Sequence, residues 1–205
     1  MSQETIANSV TASPDLSPLV AELEDYRRQF EAIKQDAREL LNGLTDTQFN
    51  WRSAPGKWSI AECLAHLNVT GQVYLPLIER RVNQARAEKV LGRGPFRHGF
   101  LGNLFIRATE PPVKRIRVKA PKIFAPQPEH MLAVIVPAFM SLQEYLLRQI
   151  RAADGLDLGR VKITSPVGRL LKLSLGQVFA FIAAHERRHL WQARQVRNDT
   201  NFPNV

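Results

Sequence analysis

The sequence predicts an all-α protein, a four-helix bundle with one long basic crossover loop between its second and third helices. Three observations predict it. Four stretches repeat apolar residues at helical spacing over lengths that only helices reach. No stretch alternates convincingly with the period of a strand, and no internal repeat is present. The 205 residues, 44% hydrophobic and 23% charged, suit one sizeable soluble domain with tails or a long loop.

The first helix is read from "SPLVAELEDYRRQFEAIKQDARELLNGL". Ser17 can cap it and Pro18 suits its first position. Leu19, Leu23, Tyr26, Phe30, Ile33, Ala37, Leu40 and Leu41 form its stripe, and Gly43 ends it. A loop containing "APGKW" follows. Ser59 with Glu62 three residues on makes a capping box, so the second helix starts after Ser59, with Pro76 as a potential kink. From about residue 92 to 128 the chain is rich in Gly, Pro, Lys and Arg and reads as a connection, with "LGNLFIRA" as a short helix within it. The third helix is carried by "VPAFMSLQEYLLRQIRAADG", with Pro137 near its first turn and Gly155 beyond its end. The fourth follows a second capping box, Ser174 with Gln177, and carries Val178, Ile182, His185, His189, Ala193 and Val196 on one stripe. The chain therefore divides into a polar, disordered arm over 1–17, a body over 18–198 and a C-terminal tail over 199–205.

Charge is concentrated. Between Arg80 and Lys122 stand twelve Lys/Arg against Glu88 and Glu110, a net +10 that exceeds the +9 of the whole chain. No window has the apolar length of a membrane span, and the N-terminal residues lack the basic and apolar regions of a secretory leader. The lone Cys63 excludes an internal disulfide. A cytoplasmic location is expected.

"HERRH", residues 185 to 189, matches the H-E-x-x-H pattern of zinc proteases. His185 and His189 share a helix face on the apolar stripe, so both are expected inside the bundle, where each imidazole needs a polar partner. His66 lies in the second turn of its helix and borders the inward face, and the three can meet in the core. Three neutral imidazoles hold a divalent ion and leave positions open for water or substrate. His98 and His130, in or beside the basic connection, read as surface residues. The protease reading fails on its third ligand. Gln192 and Gln195 stand where the extended motif needs Gly and His, and Asp199 is the sole acidic residue after His189. Glu186 lies about 100° round the helix from His185, facing solvent or a neighbouring helix.

"GKWSIAECLAHLNVT" followed by "HERRHLWQARQV" resembles the DinB-like superfamily. The family pattern is a Trp-Ser/Thr pair opening the second helix, a His about seven residues on, and H-x-x-x-H-x-x-Q in the last helix. Here these are Trp58-Ser59, His66 and His185-x-x-x-His189-x-x-Gln192. The resemblance covers roughly residues 18 to 198. It implies a four-helix bundle with a divalent-metal site on His66, His185 and His189. Some relatives are transferases or isomerases that use bacillithiol, mycothiol or glutathione. The long basic loop and N-terminal arm depart from the compact family pattern.

The expected function is activation of a small thiol, as in S-transfer, or of water, as in hydrolysis, at the three-histidine site. The metal is zinc, nickel or iron without distinction. Cys63 reads as a core residue, Trp58 and Trp191 as core or rim packing. Gln192 either orients a site group or bonds across the bundle. The partners expected are a small-molecule substrate and a thiol, and a homodimer is retained as an assembly. The rival class is a non-catalytic binding protein whose basic loop contacts nucleic acid or another anionic partner. Phe96, Phe100 and Phe105 among the charges suit it, but no recognised nucleic-acid motif accompanies them, so it is the less favoured reading.

Overall fold

The computed structural model of the chain describes residues 18–112, 124, 130–166, 168 and 171–204. It is mostly helical. In chain order the elements are α1 (Ala21–Leu41), α2 (Asp46–Asn50), α3 (Ile60–Ala87), α4 (Phe100–Thr109), α5 (Leu132–Ala152), β1 (Lys162–Thr164), β2 (Lys172–Ser174) and α6 (Leu175–Arg197). The expected arm over 1–17 and most of the basic connection after 112 lie outside the described residues.

The four long helices are amphipathic where the spacing places them. On α1 the residues Leu23, Tyr26, Phe30, Ile33, Ala37, Leu40 and Leu41 are all buried. The helix begins at Ala21, three residues later than Pro18 suggests, and Gly43 stands beyond its end at φ +72. α3 opens at the expected cap. The Ser59 hydroxyl accepts the Glu62 N–H, and the Glu62 carboxylate accepts the Ser59 N–H at 2.9 Å and the Arg52 guanidinium. α3 runs through Pro76 without ending. α5 starts at Leu132, earlier than expected, so Pro137 lies within the helix rather than near its first turn. α6 opens at the Ser174–Gln177 capping box.

α1 and α3 each pack against both α5 and α6. Phe30, Phe49, Phe139 and Phe179 are fully buried in the common core, each contributing about 1.5–3 kcal/mol through removal from water. At Gly71 on α3 an added Cβ would lie 2.3 Å from the Leu142 side chain of α5, so the missing side chain sets how closely these helices approach.

Two local features differ from the sequence expectation. The loop before α3 contains the short α2, whose capping box joins Thr45 to Gln48. β1 and β2 pair antiparallel in the register Lys162↔Ser174, Ile163↔Leu173 and Thr164↔Lys172. Three residues per strand are too few to show period-two alternation, although Ile163 and Leu173 do point into the core. The C-terminal residues also pack on the body, with Phe202 edge-on to Trp51 and Pro203 O accepting from Gln48.

The Ser59 cap is 1% exposed and fixes where α3 begins. Replacing it, Ser59→Ala, is expected to cost about 1 kcal/mol in urea denaturation, since the Glu62 amide loses its hydroxyl acceptor.

Candidate metal centre

The two capping boxes set the register of the site. From Ser59, α3 carries His66 inward in its second turn; from Ser174, α6 carries His185 and His189 on one face. α3 packs against α6, and the three rings meet. His66 Nε2 is 3.2 Å from His185 Nε2, and His189 Nε2 is 3.2 Å from the same atom. One ligand nitrogen from each ring lies within 4.8 Å of the others, close enough to hold one metal ion. His66 and His189 are buried, and His185 is partly exposed.

The protons around these nitrogens are constrained. His66 Nδ1 donates to the Phe124 carbonyl at 2.7 Å, which leaves Nε2 as a lone pair facing the other two rings. Burial holds His66 below its usual range. His185 is pushed down to about 3 by burial and by the neighbouring His66. His189 is held well below its usual value by burial and by His185. Three neutral rings cannot satisfy both short contacts fully. A single proton on His185 Nε2 can serve His66 but leaves His189 competing for it. A divalent cation accepts all three lone pairs, so the donor set fits one.

Aromatic rings enclose the imidazoles. Trp58 stacks on His189 with centroids 5.5 Å apart and tilts over His66 at 5.0 Å. Phe181 stacks on His185 at 5.5 Å, and Phe105 of α4 stacks on Phe181 at 5.2 Å. The Phe124 ring stands edge-on to His66. Trp58 thus packs at the rim, as expected. Gln192 interacts with the His189 ring and favours its charged form, which burial outweighs. Cys63 is fully buried, and burial pushes its thiol up, so it serves as core and not as a nucleophile.

Glu186 is not the water-activating base of a protease. It is 2% exposed and points to α5, where Gln143 Nε2 donates to its Oε1 at 2.9 Å. Of the two orientations open to it from sequence, the neighbouring helix is the one realised. Burial pushes its carboxyl up to about 8, so it keeps its proton at neutral pH. Glu186 Oε2 and Gln143 Oε1 are both buried without a hydrogen-bond partner.

His98 and His130 are not simple surface residues. His98 bridges two helices, with Nδ1 2.7 Å from Ser174 Oγ and Nε2 2.8 Å from Glu22 Oε1. No periodicity marks its position, because the residue precedes α4 in an irregular segment. His130 is partly buried, and its backbone pairs with the Asn50 side chain through both N–H and C=O. Neither approaches the three-histidine cluster.

A family model described as the DinB superfamily matches residues 29–193. No curated protein and no solved structure matches the chain.

Two pH effects of opposite sign are expected in chelator-treated protein. An unfolded chain protonates its histidines from about pH 6.5, whereas the folded site resists. The depressed histidines therefore contribute stability that is complete above about pH 6.5 and lost as pH falls, at about 1.4 kcal/mol per unit for each histidine. Denaturation from pH 7 downward should show this slope, and His185→Phe should flatten it; a profile equally steep in the variant contradicts the assignment. Glu186 retains a proton that the unfolded chain releases above its ordinary carboxyl range, so its penalty grows as pH rises toward about 8. Glu186→Gln should raise the melting temperature most at pH 8 and least near pH 5.

Proposed function

Because the chain belongs to the DinB superfamily, we propose that it is a metal-dependent enzyme that binds one divalent ion through His66, His185 and His189. The proposal takes the four long helices as a four-helix bundle and residues 92–128 as its crossover. The observation that carries it is the convergence of three neutral imidazole nitrogens, with the His66 tautomer fixed by the Phe124 carbonyl. A bound divalent ion lowers the pKa of a thiol or of water, supplying thiolate or hydroxide near neutral pH.

The chain's own residues hold and shield that site. The Phe124 carbonyl orients His66, and Trp58 braces His66 and His189. Phe181 covers one side of His185 and limits water there. With Cys63 buried and Glu186 turned to α5, neither of these described residues offers a nucleophile or base at the imidazoles. This favours a small thiol or water as the activated species. S-transfer to an electrophilic carbon and hydrolysis of a carbonyl compound are the two reactions in question. Among the described residues no helix is long and apolar enough to cross a membrane. A cytoplasmic location belongs to the same proposal.

Purified protein should contain close to one divalent ion per chain by metal analysis, and the His66→Ala, His185→Ala, His189→Ala triple variant should contain none. Glu186→Gln should keep both the metal and the activity, whereas a protease whose glutamate acts on bound water keeps its metal but loses turnover. Protein that is metal-free and takes up no added zinc, nickel or iron would overturn the proposal. Activity toward a panel of small thiols with electrophiles, and toward carbonyl substrates without thiol, then separates the two reactions.

A further inference from the structure

Seven large apolar residues are exposed among the described residues, and four of them lie on α4. Phe100 is 77% exposed, Leu101 76% and Leu104 55%. At helical spacing these three share one outward face with Ala108. The opposite face is anchored. Gly102 lies against the Gln177 side chain, whose amide donates to Gly99 O at 2.6 Å and Asn103 Oδ1 at 2.9 Å. Phe105 stacks on Phe181. The helix is therefore held firmly with its apolar side outward, the reverse of what burial favours.

The chain around it in sequence is cationic. Arg107 on α4 is exposed, as are Arg97 and Arg93 just before it. The nearby carboxylates are already engaged: Glu110 pairs with Arg187, and Glu22 is bonded by Tyr26 and His98. The segment from Arg80 to Lys122 carries the net +10. An apolar face of Phe and Leu on a helix that carries Arg107, with Arg93 and Arg97 shortly before it in the chain, fits a surface that is apolar within and anionic at its rim.

We propose that the outer face of α4 is a docking surface for an anionic lipid bilayer. Three side chains on one ten-residue helix offer a few hundred Å² at most, short of the roughly 800 Å² per partner of a stable protein interface. The same three suffice for reversible insertion among acyl chains when cations meet the headgroups. Nucleic acid would engage the arginines but gives Leu101 and Leu104 nothing to stack on. The inference does not depend on the metal.

The test is co-sedimentation of the full chain with vesicles of phosphatidylcholine alone and of phosphatidylcholine mixed with phosphatidylglycerol. Binding to the mixed vesicles, weakened by added salt and absent from neutral ones, is expected. The Phe100→Ser, Leu101→Ser, Leu104→Ser variant should partition at least about tenfold less, with an unchanged circular dichroism spectrum and melting temperature because these side chains are exposed. Arg93→Gln, Arg97→Gln and Arg107→Gln should each weaken binding by roughly fivefold or less. Equal binding to neutral vesicles, or binding that the serine variant retains, overturns the proposal. So does binding of a single-stranded oligonucleotide, or dimerisation abolished by the serine variant, when no vesicle pelleting occurs.

Discussion

Three imidazole nitrogens turned toward one another, two of them on buried residues, form the constraint on which the rest of the structure depends. Neutral rings at 3.2 Å leave lone pairs facing each other, an arrangement a core tolerates only when something satisfies them. Its geometry requires α3 and α6 to lie side by side with a fixed offset. The two capping boxes at Ser59 and Ser174 provide that offset by fixing where each helix starts, and β2 ends on Ser174 itself. Local hydrogen bonds at helix ends thus decide whether distant side chains converge.

α6 bears demands on more than one face. It touches α1, α3 and α4, and both its apolar residues and Glu186 are buried. Its histidines need lone-pair partners on one face, and its glutamate needs a neutral partner on another. Gln143 on α5 answers the second need. The H-E-x-x-H string is therefore two unrelated solutions to burial on one helix. The histidine nitrogens lie close enough together to hold one cation, and the glutamate is kept protonated against an amide. Adjacent letters in a motif need not point at the same chemistry, because one residue of helix turns a side chain through about 100°.

Much of this was legible in sequence for a physical reason. Long amphipathic stripes and S-x-x-E/Q caps encode helices locally, so α3 and α6 begin where Ser59 and Ser174 place them, and His66, His185 and His189 come together. What the sequence left hidden depends on contacts between distant segments. α2 is five residues long, and its Thr45-x-x-Gln48 box was the one signal that could have revealed it. β1 and β2 are too short for periodicity. His98 looked like a loop residue because nothing local says that Glu22 and Ser174 will flank it, and the cover that Phe124, Phe181 and Phe105 give the imidazoles has no signature at all.

The last of these connects the surface to the centre. α4 is tied to the start of α6 by Gln177, which caps that helix and also holds Gly99 and Asn103. His98 binds the same Ser174 cap just before α4 begins. From α4 inward, Phe105 lies on Phe181 and Phe181 on His185, so one aromatic layer separates the exposed helix from the partly exposed imidazole of the cluster. Close-packed rings transmit displacement rather than absorb it. A shift of α4 must therefore move Phe181 or open a gap beside it. The groups that fix α4 are thus also groups that fix the aromatic layer over His185.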